Sequence, residues 1–384
     1  MQRLKTLFVL LVTIISLSSL GITVTQKAID KETPQESNSQ NPEPNTKESY
    51  CLGKVIKIIS DIEEELPGGN KQRTQQLLIK VLSGDSKGKE RVTTNVIPDN
   101  PGFAIIGEVG KKYLISKTEN LDNGEEDYFV VEYYREPLIW ILLGAFLVLL
   151  VIIGGVKGIR TIISLFCTVG FIAFLLIPSI EKQMNPLLSA VLISILATAV
   201  TMMLVAGINM KSLASTLGTG IGVCISGIIA TTIIKIAPLS GLASTESMIL
   251  WGNQFYEINF KGLLAAGMIV SSLGAIMDVA ISISSSIQEI KLANPSYSFG
   301  DLYKSGMNVG KDIMGTMTNT LVLAYTGMAL PLLLLISHEK NPSKYLNLEL
   351  VMNEITAAIA GSIGLIIAVP ATAIIMAYLV KKEK

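Results

Sequence analysis

The residues most able to do chemistry are two aspartates, Asp278 and Asp312, which fall inside long apolar stretches of the chain. An ionisable group at the middle of a membrane costs ~2.5–3.5 kcal/mol to insert, so it needs a reason to be there. Other polar residues recur with the aspartates at spacings of three or four, which places them on single helix faces. The candidate path for a solute or ion consists of Asp278, Ser282, Ser285, Asn308, Lys311, Asp312, Thr316 and Asn319.

Three interpretations of these residues stay open. The aspartates could lie at the membrane interface, with Lys311 reaching the lipid head groups. They could form a structural polar network that holds two helices together. They could also line a path in which carboxylates supply charge and hydroxyl and amide groups replace water of hydration, and this is our working hypothesis. A hard cation between the carboxylates is compatible with it, whereas a zinc centre is not predicted.

Membrane-spanning helices must position these side chains. With 49 % hydrophobic and only 16 % charged residues, the 384-residue chain is too apolar for a soluble globular protein. Seven apolar stretches follow residue 136, and each is long enough to cross a ~30 Å hydrocarbon core as a helix. They cover residues 137–156, 161–180, 186–208, 212–238, 262–282, 308–337 and 354–380.

The part before residue 137 has a different character. Residues 1–25 fit either a secretory signal or an uncleaved N-terminal anchor helix. Residues 26–50 are rich in Pro, Ser, Asn and Glu and predict a disordered tether. Residues 51–136 contain five short apolar alternations separated by turn sequences, which predicts a small β-barrel of OB or SH3-like type. The expected fold is therefore mainly α, a seven-helix transmembrane bundle in 137–384 with a small extracellular β-domain.

Basic residues set the expected orientation. They fall on one alternate set of loops between the apolar stretches, and that set should be cytoplasmic. The same rule places residues 26–136 outside the cell and the C-terminus inside, in a multi-pass plasma-membrane protein. The basic residues that decide this are Lys157, Arg160, Lys211, Lys291, Lys304, Lys381 and Lys382.

Several classes of function lack their residues. The sequence contains no G-x-x-x-x-G-K-[ST] string for nucleotide binding, and its one histidine, His338, is too few for a histidine-based zinc site. Three scattered cysteines without a CxxC pair exclude a disulfide framework. The net charge of zero gives no reason to expect nucleic acid. We therefore expect no enzyme and no cofactor, and as partners the lipid bilayer, a small solute or ion, and a possible second copy of the chain.

Small residues at every third or fourth position predict close helix contacts rather than chemistry. Two apolar stretches carry them, in the sets Ser215, Gly218, Gly222, Ser226 and Ala357, Gly361, Gly364, Ala368. Glu354, at the start of the last stretch, is interpreted as an ordinary charge at a helix N-terminus.

Three strings are similar to those of the YibE/F family: GAIMDVAISISSSIQEI (274–290), KSGMNVGKDIMGTMTNTLVLAYTG (304–327) and LNLELVMNEITAAIAGSIGLIIAVPATA (346–373). The resemblance covers nearly everything from about residue 52 onward. It implies a polytopic bacterial plasma-membrane protein and supplies no substrate. Lys311 stands where the resemblance leads us to expect Arg, an exchange that keeps charge but loses a bidentate fork.

These observations predict a transporter or permease, ion-coupled, for a small solute or ion. The alternative is a non-transporting envelope scaffold or receptor whose outer β-domain binds a partner. The two differ in whether the intramembrane aspartates or residues 51–135 are indispensable.

Overall fold

The computed structural model describes residues 46–65, 71–100, 102–121, 124–252, 257–338 and 340–382. The predicted signal or anchor segment 1–25, and the tether up to residue 45, lie outside these ranges. The chain divides near residue 150 into two compact units, a small sheet unit followed by a helical unit. The chain is mostly helical, as the composition predicts.

All five predicted strands are present in the first unit. They are β1 (Thr46–Glu65), β2 (Lys71–Val81), β3 (Glu90–Ile97), β4 (Lys112–Asn120) and β5 (Glu126–Tyr133). Strand β1 begins five residues before the predicted start of the domain, because residues 46–50 pair with the far half of β4, from Thr46 against Asn120 onward.

The five strands pair in the order β1-β2-β3-β5-β4, and β4 returns to β1. All neighbours are antiparallel except β3 and β5, which meet at one parallel bridge between Thr94 and Phe129. Assignment of this sheet to the OB or SH3-like class stays a prediction.

The interior of the sheet unit combines apolar side chains with one buried amide. Leu77, Ile79 and Ile115 are fully buried, as the period-two alternation of β2 and β4 requires. Gln75 is 1 % exposed, yet both the nitrogen and the oxygen of its amide are hydrogen-bonded. Its Nε2 donates to Asp61 on β1, while its Oε1 accepts from the Asn95 amide and from the backbone N–H of Gly107. This network joins β1, β2, β3 and the chain before β4.

The second unit consists of helices. The first of them begins at Glu136, before the boundary near residue 150. They are α1 (Glu136–Phe171, continued by a π-helical turn at Ile172–Leu176), α2 (Ile177–Glu181), α3 (Pro186–Ala206), α4 (Met210–Ile236), α5 (Thr245–Gly252), α6 (Phe260–Ala293), α7 (Phe299–Met328), α8 (Leu330–Ser337), α9 (Pro342–Leu346) and α10 (Glu349–Lys382).

By length and apolarity the described helices provide five candidate membrane spans, or six with the bent pair α7 and α8, where the sequence predicts seven. The difference arises because the stretches 137–156 and 161–180 lie in one 46-residue run, Glu136–Glu181, which counts as one candidate span although a kink at Gly155 divides it into two helices. The run leaves helical geometry at Gly155, whose φ of 54° and ψ of −130° suit glycine. At 1.5 Å per residue the parts before and after this kink, residues 136–154 and 156–181, are ~28 Å and ~39 Å long, each close to or above the thickness of the hydrocarbon core.

The predicted stretch 308–337 is not one straight helix. Helices α7 and α8 are bent by 68° at a break around Ala329, and Pro331 stands in the first turn of α8. Proline lacks the N–H that would continue the helix and is favoured at such a start. The break therefore has a cause in the sequence.

The core of the helical unit lies where α4, α6 and α10 meet. Ile269, Ile276 and Ile283 on α6 are completely buried there. The two predicted sets of small residues face each other in this core, which confirms that they serve close packing. A Cβ placed on Gly222 would lie 2.7 Å from the carbonyl oxygen of Gly364. Cys51, Cys167 and Cys224 are free thiols, as their spacing predicts.

Candidate functional site

Helix α6 has the two faces that its sequence predicts. Ile269, Ile276, Val279 and Ile283 are fully buried against the rest of the unit. The opposite face carries the polar residues, of which Asp278 is exposed and Ser282 and Ser285 are half-buried. The Ser282 hydroxyl donates to the backbone carbonyl of Asp278, 2.7 Å away, so it is satisfied within its own helix. The Asp278 carboxylate points away from the apolar core.

Helix α7 repeats this arrangement more strongly. Gly306 and Gly310 are buried, and a Cβ on either would press on Ile287 or Ile283 of α6 and on Ala373 or Val369 of α10. The glycines therefore allow α7 to lie close to both neighbours. The opposite face is exposed and carries all the predicted α7 site residues, Asn308, Lys311, Asp312, Thr316 and Asn319.

The contacts between α6 and α7 fix how the two polar faces are aligned. Gly306 lies beside Ile287 and Gly310 beside Ile283, so the helices are antiparallel. Extending this register sets Asp312 level with residue 281 and Asp278 level with residue 315. The two aspartates are therefore about three residues apart in depth, ~4–5 Å at 1.5 Å per residue.

Similar depth does not amount to direct contact. Among the described residues no hydrogen bond or ion pair joins Asp278, Asp312 and Lys311 to one another, and no group of three or more His, Cys, Asp or Glu side chains is suited to a metal. The ion pair that α6 forms is instead that of Glu289 with Lys211 of α4, at 3.6 Å. The predicted path residues are aligned on one pair of helices without forming a closed network.

A cavity of about 350 Å³ lies where α6 begins, α7 ends and α10 begins. The sequence analysis did not identify it. Its wall is mostly apolar, and its polar members are Ser244, Ser247, Ser271, Tyr325, Asn353 and Glu354. Glu354 and Met328 also line a second, more apolar cavity of about 370 Å³ at the bend between α7 and α8.

The interpretation of Glu354 as a charge at a helix N-terminus is wrong. Helix α10 begins at Glu349, so Glu354 stands in its second turn, where the dipole effect has faded. Glu349 has the role of an end residue instead. Its carboxylate accepts hydrogen bonds from the Ser240 hydroxyl and from the backbone N–H groups of Ser240 and Gly241, at 2.7–3.0 Å. The usable signal was the pair Asn353-Glu354 inside an otherwise apolar helical stretch.

Comparison with known proteins identifies the chain at the level of a family. The sequence profile described as YibE/F-like protein matches residues 142–382, well over half of the chain. The chain belongs to the YibE/F-like family. The matched range contains all eight predicted path residues and Glu354, and it begins within α1, after the last strand of the sheet unit.

A search of curated proteins and a search of solved structures found no match to this chain. The family match confirms the resemblance indicated by the three sequence strings, and it covers the helical part of the chain.

Proposed function

We propose that this YibE/F-like chain is an integral membrane transporter or permease, ion-coupled, for a small polar solute or ion. The observation that carries the proposal is the pair of polar faces on α6 and α7. Both are turned away from the apolar core, and their aspartates Asp278 and Asp312 lie at similar depth. Within a membrane such faces require water, a solute or other protein against them.

Each residue type has a distinct role in this proposal. Asp278 and Asp312 bind the coupling cation or protons, because carboxylates supply the negative charge. The hydroxyls of Ser282, Ser285 and Thr316 and the amides of Asn308 and Asn319 replace water around the moving species. Lys311 balances the charge of the empty path. None of these roles calls for an enzyme or a cofactor.

A second copy of the chain is the partner that best covers the α7 face. Lys311 and Asp312 are adjacent and of opposite charge, and the amides of Asn308 and Asn319 can each donate and accept. A face of this composition complements itself about a two-fold axis. The path would then run where two copies meet.

We also propose that the protein lies in the plasma membrane, with residues 26–136 outside and the C-terminus inside, because its basic residues fall on one alternate set of loops.

The test is flux in proteoliposomes that contain the full chain, with Na⁺, K⁺ and choline as probes and a pH-sensitive dye for protons. Asp278→Asn and Asp312→Asn should abolish the flux seen with wild type, while Asp85→Asn, an exposed change in the sheet unit, should leave it unchanged. Equal expression and thermal unfolding would show that the variants are folded. Normal flux in both aspartate variants, or no flux of any probe through wild type, would overturn the proposal.

The alternative, an envelope scaffold whose outer domain binds a partner, is favoured by one observation. Val92 and Val96 on β3 and Phe129 on β5 are each about half exposed, and the Thr94–Phe129 bridge brings them together. Exposed apolar groups that are contiguous often mark interaction surfaces. In that case deleting residues 51–135 should abolish function while both aspartates tolerate substitution, the reverse of what transport requires.

A further inference from the structure

The cavity between α6, α7 and α10 contains a carboxylate without a partner. Glu354 lines the cavity and is half-buried, and it has no hydrogen bond or ion pair with any described residue. Beside it the side-chain Oδ1 of Asn353 is buried and also unpartnered. Buried polar atoms without partners are uncommon, since each loses its hydration without compensation. The cavity therefore contains two hydrogen-bond acceptors that have no donor among the described residues.

The remaining polar groups add oxygen atoms and no positive charge. Ser244, Ser247, Ser271 and Tyr325 supply hydroxyls, and the described lining includes no Lys, Arg or His. The Tyr325 and Ser271 hydroxyls are hydrogen-bonded to each other, which links the end of α7 to α6. Glu354 is thus the only charged group of the described lining, and its negative charge attracts a cation and repels an anion.

The size and the rest of the wall indicate which kind of cation. A volume of about 350 Å³ is far larger than a bare metal ion needs and matches the lower range of small-molecule sites. Leu263, Leu264, Met268 and Met328 form an apolar part of the wall of the same cavity. One carboxylate balances one positive charge, and an aromatic ring such as that of Tyr325 favours an ammonium group.

We infer that this cavity binds a small organic cation, a solute with one ammonium group and a short carbon body. Glu354 pairs with the charge of the ammonium group, the Asn353 amide oxygen accepts from a hydroxyl or N–H group of the solute where it has one, and the leucine and methionine side chains contact the carbon body. Glu349 accepts hydrogen bonds from the backbone N–H groups of Ser240 and Gly241, and Gly241 is part of the cavity wall.

The inference rests on the proposed function and gives it a substrate class. Ser271 belongs both to the cavity and to the polar face of α6, seven residues from Asp278, which is ~10 Å along the helix. A cation released from Glu354 would therefore meet Asp278 as the next acidic group along that face.

Binding is tested apart from transport, by isothermal titration of the purified full chain in lipid nanodiscs with choline at low salt. The neutral isostere 3,3-dimethyl-1-butanol has the same shape without the charge. Wild type should bind choline and not the alcohol. Glu354→Gln should weaken choline binding by at least about tenfold, because the charge pair is lost. Glu246→Gln, an exposed change on α5 outside the cavity lining, should bind as wild type does.

Three results would overturn the inference: no choline binding by wild type, equal binding by Glu354→Gln, or full displacement of choline by millimolar Na⁺ or Mg²⁺, which would indicate a metal-ion site. Thermal unfolding of Glu354→Gln at the wild-type temperature excludes a folding defect. Choline binding without flux would keep the cavity site and reject transport. Flux that depends on Asp278 without choline binding would do the reverse.

Discussion

Gly222 of α4 and Gly364 of α10 contact each other through their backbones. A Cβ on either residue would lie 2.7 Å from the carbonyl oxygen of the other. The same Cβ on Gly222 would also press on Ile276 of α6, which is fully buried. Three helices thus meet at this point, and only glycine fits at positions 222 and 364.

The first prediction concerns this contact. Gly222→Leu forces α4 and α10 apart and should destabilise the helical unit by about 3 kcal/mol, since overpacking a tight core costs 1–3 kcal/mol or more. The measurement is the thermal unfolding temperature in detergent. Gly144→Leu is the matched control, because Gly144 lies on α1 with nothing within 4 Å of its added Cβ. Equal unfolding temperatures for the two variants would contradict the packing argument.

The second prediction concerns the buried amide of the sheet unit. Gln75→Leu leaves the Gly107 N–H without its acceptor and removes one of the two acceptors of the Asn95 amide, which keeps the Ile105 carbonyl, and the unit should lose about 2–3 kcal/mol of stability. Gln76→Leu makes the same change at the exposed neighbouring position and should cost under about 0.5 kcal/mol. Hydrogen exchange of the strand amides in the full chain measures both. Equal protection in the two variants would show that the network does not stabilise the sheet.

Local periodicity accounts for the part of this fold that sequence predicts. The polar faces of α6 and α7 follow from spacings of three and four, as Asp278 opposite Ile276 illustrates. The five strands follow from period two in the same way. Small residues at spacings of three or four likewise predicted close helix contacts in α4 and α10, and the structure adds that these two helices contact each other.

The features that escaped prediction depend on segments distant in sequence. The Glu354 cavity draws on residues near 244, 271, 325 and 354, and no local pattern connects them. The bend after α7 also escaped prediction, because hydropathy indicates that a stretch is apolar and not in which direction its helix runs. Glu354 was misinterpreted because its role depends on where α10 begins.

The third prediction is a pH dependence of the sheet unit. The Arg73 guanidinium, with the Gln75 amide, lowers the pKa of Asp61 to about 2. The Lys117 ammonium, with the Tyr128 hydroxyl, lowers the pKa of Glu126 to about 2. Because both values lie below those of an unfolded chain, near 4, the stabilisation is complete above pH ~5 and is lost as pH falls toward 2. Solvent screening limits it to about 1 kcal/mol for each group.

Hydrogen exchange of the strand amides between pH 7 and pH 3, corrected for its intrinsic pH dependence, measures this loss in the full chain. Asp61→Asn should be less stable at pH 7 and should lose less on acidification. Asp85→Asn, at an exposed residue outside the network, should follow wild type. A wild-type unit that is equally protected at pH 7 and pH 3 would refute the assignment.

The last prediction tests the second copy proposed over the polar face of α7. Asn319 is exposed on that face, opposite the buried Gly310, so in a symmetric pair it should lie close to its equivalent. In a background without Cys51, Cys167 and Cys224, Asn319→Cys should give a disulfide-linked dimer on mild oxidation in native membranes. Ile228→Cys, at a residue of α4 that is 58 % exposed, should remain monomeric at the same expression level.

Asn319→Leu should weaken self-association about fivefold, since an interhelical amide hydrogen bond contributes about 1 kcal/mol. Equal cross-linking at both positions, or none at Asn319, would exclude this interface and leave the polar face to water alone.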